Sequence, residues 1–241
     1  MTGKEIRPTK YRATPVDRPL ERAEAIRRQI ERAVEEEEAA RRVEARIRAW
    51  LEKHDPEHVE ERVTPLWDQV RGYVAISTHP LEVLATLADG PQGPFAVSLL
   101  QVMVGYFEDE HDLLDDSQGL FGLLDDAYLC LRTYEHLMKG WARKEPRAAE
   151  PLAVLSARND FVERLFRPAI REALDKLVYE TLREAQNERA MAGLQETPGD
   201  RTKEMVTRTG QTLTDADRRW SGDTGLDQTD IIDMVASSGM F

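Results

Sequence analysis

One thiol, Cys130, is all that this 241-residue chain carries, so no disulfide can form within it. That usage fits a reducing, cytoplasmic setting, and the flanking Leu129 and Leu131 mark Cys130 as a buried small side chain rather than a nucleophile. Aromatic residues are scarce as well, at 7% against 32% charged. No long apolar run is present: the most apolar stretch, Phe95 to Phe107, covers 13 residues, whereas a bilayer span needs about 20. Met1 to Leu20 contains no apolar run, so no secretory signal is expected. Period-two alternation is missing throughout, which excludes a sheet and predicts an all-α fold. The formal net charge of −12 leaves no basic face for phosphates, so nucleic acid is excluded as the main partner. Gly-x-Ser-x-Gly, Walker and Gly-x-Gly-x-x-Gly loops are all absent.

What is present divides into segments. Residues 1–19 hold Pro8, Pro15 and Pro19 among scattered charge and read as a disordered leader. From Leu20 to Lys53 there is neither glycine nor proline, and the nine acidic and nine basic residues cancel. Ile26, Ala33, Ala40 and Ile47 recur at heptad spacing, but Glu37 and Glu44 interrupt the companion register occupied by Ile30 and Leu51. The pattern predicts one long, charge-laced helix over 20–53, resting lightly on its surroundings and separable from them.

Residues 54–193 form the expected helical domain. Asp55 is placed to cap a helix opening at Pro56, and Thr64-Pro65 repeats the device for an amphipathic helix through Val74. A short helix from His79 to Ala88 leads to the loop Asp89–Pro94. Helices over Phe95–Phe107 and Gly119–Met138 are apolar on most faces and hence central. After a loop from Gly140 through Pro146, a long helical stretch runs from Ala148 to about Leu194, kinked near Phe166 because Pro168 lies inside it. Residues 194–226 read as disordered linker. Residues 227–241 end the chain with an apolar cluster.

Between the two central helices lies the densest charge in the sequence. Residues Glu108 to Asp126 contain eight acidic side chains and no Lys or Arg. Like charges this close repel, so folding must turn them toward water, a cation or a basic partner. Asp112-Leu113-Leu114, Asp116, Gly122 and Leu124-Asp125-Asp126, with Tyr106-Phe107 just upstream, resemble the signature of the YkvA-like domain, a bacterial family of unknown function. Asp115 and Gly119 stand where that family usually has prolines. The resemblance covers residues 102–136 and implies a helical hairpin closed by a tight acidic turn, often in proteins tied to membranes. It implies no established activity.

The residues themselves leave three roles open for these aspartates. They can cap helices and hydrogen-bond the turn. Alternatively, Asp112, Asp116, Asp125 and Asp126 can serve as oxygen ligands for Mg²⁺, Mn²⁺ or Ca²⁺, the premise of a metal-dependent hydrolase. As a third role, the acidic face can dock a basic protein. His54 and His58 are four apart but separated by Pro56 and unaccompanied by cysteine, which makes a poor zinc pair. Trp50, Trp67 and Trp141 read as core or groove anchors.

Trp220 differs, standing alone in a polar tail. Ile231, Ile232, Met234, Val235 and the terminal Phe241 return apolar surface to the chain end, which needs burial on its own domain or on another protein, and the leading prediction is a partner-docking peptide. With no catalytic constellation in view, the leading expectation is a cytoplasmic, non-enzymatic helical adaptor or regulatory module with a protein partner. A peripheral membrane factor is the remaining alternative, disfavoured by the negative charge.

Overall fold

The computed structural model describes residues 18–90, 93–108, 113–114, 120, 122–143 and 148–191. Among these residues it is an all-α helical bundle with no strand. The helices are α1 (Pro19–Ala40), α2 (Arg42–His54), a 3₁₀ turn (Pro56–His58), α3 (Val59–Ile76), α4 (Thr78–Ala88), α5 (Gly93–Phe107), α6 (Leu124–Ala142), α7 (Ala149–Leu165) and α8 (Pro168–Met191). The two central helices, α5 and α6, flank the acidic segment and touch each other. Helices α4 and α8 cover α5, while α7 and α8 cover α6.

Apolar periodicity explains why α5 and α6 lie inside. Phe95, Leu99, Leu100, Met103, Val104 and Phe107 of α5 are all buried, at the i, i+4 spacing that keeps a helical face apolar. In α6, Ala127 to Leu131 are buried without interruption, as a helix covered on several sides requires. Gly93 shows how closely α4 approaches α5. A Cβ at that position would stand 2.4 Å from the Ala88 carbonyl oxygen, well inside van der Waals contact, so only glycine fits there.

The N-terminal span departs from expectation in two ways. It is helical from Pro19 to His54 but is broken at Arg41, which takes φ 50 and ψ 33. It is also no loose appendage. Ala23, Ile26 and Ile30 of α1 enter the core against α4, α5 and α3, and Val43, Ile47 and Leu51 of α2 bury against α3. The break rotates the thin stripe, so that two short apolar faces each find a partner surface. Helix α1 begins at Pro19, inside what reads from sequence as leader.

Three further boundaries move. Helix α3 starts at Val59 and carries Pro65 within it, in place of a new start at Thr64-Pro65. Helix α6 runs on past Gly140 to Ala142. Near Phe166 the expected kink is a full break, because Phe166 is extended at φ −80 and ψ 144. That geometry follows from Pro168, which lacks the amide needed to continue α7 and pushes the chain before it out of helical conformation. Residues 192–241, including the expected linker and terminal peptide, lie outside the described residues.

Candidate functional site

The head of α6 brings two acidic residues indoors. Asp125 is 0% exposed and Asp126 is 1% exposed, in the first turn of a helix whose N-terminal dipole favours negative charge. The hydroxyl of Tyr106, near the end of α5, donates to Asp125 Oδ2 at 3.1 Å. The backbone amide of Leu114 donates to the same oxygen, also at 3.1 Å. One carboxylate therefore ties the end of α5, the middle of the acidic segment and the start of α6 together. Burial pushes the Asp125 carboxyl up to about 7, against the opposing pull of the Leu114 and Tyr106 hydrogen bonds.

Leucines from the same segment supply its apolar anchor. Leu114, Leu120 and Leu123 are buried in the core, and Leu113 packs against it. At the other end of the segment, Arg22 of α1 holds Glu108 at 2.8 Å. The helix-capping expectation is thus met in altered form: Asp125 accepts an amide from the segment before its helix, eleven positions back. Asp112 and Asp116 lie outside the described residues. Among the described residues no group of three or more His, Cys, Asp or Glu side chains gathers to hold a metal.

A second buried polar cluster lies deeper, where α3, α6 and α7 meet. Glu135 is 0% exposed. Its Oε2 accepts Arg132 at 2.7 Å and the Asn159 amide at 2.8 Å, while its Oε1 accepts Ser156 at 2.9 Å. Lys139 lies 2.6 Å from Oε1. Burial alone would raise the Glu135 carboxyl, but hydrogen bonds from Lys139, Asn159 and Ser156 and the Arg132 charge bring it down to about 2. Every lone-pair direction is occupied, so this carboxylate is a fixed counter-charge with no capacity left for substrate.

The other candidates resolve singly. His54 stacks on Trp50 at 4.7 Å and bonds the Trp50 carbonyl, whereas His58 bonds Asp55 at 2.8 Å. The two histidines thus serve different partners. The Asp55 side chain does not cap the helix start; it binds His58 and Arg62 instead. His136 is exposed on the surface of α6, where desolvation followed by the Lys139 charge lowers its basicity. Cys130 is buried, donating to the Ser77 carbonyl at 3.3 Å beside Met103 Sδ, and burial pushes its thiol upward. Trp220, Ile231, Ile232, Met234, Val235 and Phe241 lie outside the described residues. No described helix is long and apolar enough to cross a membrane.

The Glu135 cluster is the grouping that sequence reasoning missed. Its signal was Arg132 and Glu135 at i, i+3 inside a run otherwise read as apolar, facing a polar Ser156–Asp160 stretch in the next helix. No family model, curated protein or solved structure matches this chain.

Proposed function

We propose that this chain is a non-enzymatic, cytoplasmic helical interaction module, an adaptor or regulator whose acidic segment between α5 and α6 engages a basic protein partner. The observation that carries this reading is the Asp125 tie, made by Tyr106 and the Leu114 amide. Together with the buried Leu114, Leu120 and Leu123, it anchors the segment at several points. A partner that docks on a segment already tied at these points pays less ordering entropy, and complementary charge favours specific and rapid docking. Nucleic acid is set aside on charge. The test is capture by full-length tagged protein against a Glu110→Gln/Asp112→Asn/Asp115→Asn/Asp116→Asn variant. Capture should be lost in the variant at unchanged melting temperature, and should weaken in wild type as salt rises above about 0.1 M. Equal capture by both proteins would overturn the reading.

A metal-dependent hydrolase is the second reading, favoured by one observation: adjacent, fully buried Asp125 and Asp126 are costly to ionise without a compensating charge. With Asp112 and Asp116 they would offer oxygen ligands to Mg²⁺, Mn²⁺ or Ca²⁺. Cation titration of the melting curve distinguishes it, since a ligand bound to the folded state raises stability and the Asp112→Asn/Asp116→Asn variant would lose that rise. Peripheral membrane association rests on the YkvA-like resemblance alone and is opposed by the net charge of −12.

A further inference from the structure

Arg41 interrupts a segment whose own residues favour an unbroken helix. Glu35 to Arg46 contains no glycine or proline, yet Arg41 stands at φ 50 in the left-handed region. For a residue with a Cβ, that conformation is disfavoured against right-handed helix by roughly five- to thirty-fold. The interruption is also small. The Arg41 amide still bonds the Glu37 carbonyl, and the Ala45 amide still bonds the Arg41 carbonyl, both in the i to i−4 pattern. What replaces the missing helical bonds is a side chain: the buried Glu37 carboxylate accepts the Val43 amide, with Arg42 3.6 Å away.

Helix α1 precedes this point and docks on α4, α5 and α3. We propose that Arg41 is an exchange hinge through which two copies of this chain trade α1. In the exchanged dimer α1 and α2 fuse into one helix from Pro19 to His54, and each α1 occupies the α4–α5 surface of the other copy. Ala23, Ile26 and Ile30 keep their burial, because the surface they enter is the same one. The apolar contribution therefore cancels between monomer and dimer. What remains is relief of left-handed geometry at two arginines and the backbone bonds of a continuous helix. Against these stand the loss of two Glu37–Val43 bonds and the entropy of association. Short strained hinges are where such exchange occurs.

The test uses the full chain, refolded at high concentration and sized by light scattering. Arg41→Ala, which keeps the Cβ penalty of the break and favours the continuous helix slightly more, should raise the dimer association constant about twofold. Arg41→Gly, which tolerates the left-handed turn, should lower it. The Arg22–Glu108 ion pair, which joins α1 to the end of α5 at 2.8 Å, shows whether α1 is what changes hands. Arg22→Glu and Glu108→Arg chains each set like charges together, in the monomer and in the homodimer alike. Refolded as a mixture, they regain opposite charges at both sites only by exchanging α1 between unlike copies. Native mass spectrometry should then show the mixed dimer well above its statistical share. A statistical share would overturn the proposal, because it would mean that the copies meet without trading α1. So would absence of dimer from both the mixture and Arg41→Ala. If Arg41→Ala fails to fold, the charge-exchanged mixture still decides, with the hinge sequence intact.

Discussion

Tyr73 of α3 donates its hydroxyl to Asn159 Oδ1 of α7 at 2.7 Å, 86 positions along the chain. The Asn159 amide then passes to Glu135 of α6, so one asparagine joins three helices through a fully buried path. Removing the Tyr73 hydroxyl by Tyr73→Phe should cost about 1 kcal/mol of unfolding free energy. Asn159→Ala leaves the buried Tyr73 hydroxyl without its acceptor and removes one of four donors around Glu135, and should cost more than Tyr73→Phe, about 2–3 kcal/mol. Urea denaturation of the two single variants and the double variant will give the coupling directly, and additive costs would mean that the path does not act as a unit.

The two buried carboxyls should leave opposite marks on stability against pH. Asp125 is held at about 7 when folded, above its unfolded value near 3.9. The folded state thus binds that proton more tightly, and the Asp125 contribution falls as pH rises from about 4 to about 7. Glu135 is held at about 2, below its unfolded value near 4.3. Its contribution is complete above the unfolded value and is lost as pH falls toward 2. Asp125→Asn should flatten the upper slope and Glu135→Gln the lower one. Melting temperatures taken from pH 2 to 9 will separate them; an unchanged upper slope in Asp125→Asn would exclude that carboxyl as its source.

Helix α1 should behave as core. Ile30 is 1% exposed, so Ile30→Ala should cost about 2–5 kcal/mol. Deleting residues 1–53 should abolish cooperative unfolding or cause aggregation, because it bares the α4 and α5 surface on which α1 packs. A sharp two-state melt of the deleted chain, read by circular dichroism, would contradict this.

At the α4–α5 corner, Gly93→Ala sets a methyl 2.4 Å from the Ala88 carbonyl oxygen. The backbone must shift to admit it, at about 1–3 kcal/mol. Gly90, where the nearest atom to an added Cβ is 3.4 Å away, should tolerate alanine far better. Parallel thermal melts of the two variants check the contrast, which equal losses would remove.

The chain end offers a separable test of the interaction reading. Truncation after Leu226 removes Ile231, Ile232, Met234, Val235 and Phe241. If the segment docks on a partner, capture should fall while the melting temperature stays close to that of the full chain. A clear drop in melting temperature would place this segment within the fold.

Helix existence was legible because apolar spacing is a local property. Phe95 to Phe107 and the run around Leu129 announce buried helices through composition alone. The break at Arg41 was not legible, because nothing between Glu35 and Arg46 disfavours a helix. The break comes from tertiary contacts: two apolar faces that need different partners, and a carboxylate that replaces a lost backbone bond. Helix α3 was misjudged at Pro65 for the converse reason, since a strong local signal yielded to the burial of Val59 and Val63. At the candidate site, spacing selected Asp125 and Asp126, but Tyr106 as the donor to Asp125 depended on how α5 and α6 meet. Glu135 was hidden because an ionised side chain in an apolar run looks like surface until its partners on α7 are in place.

The lone thiol has a further consequence. Cys130 is enclosed by Ser77 and Met103, and burial disfavours its reactive thiolate form. A thiol-modifying reagent can reach it only when the bundle parts around α6. With no second cysteine in the chain to confuse the signal, modification rate at fixed reagent becomes an internal clock of how often the interior opens. Its sulfur can thus time every variant described above without an added label.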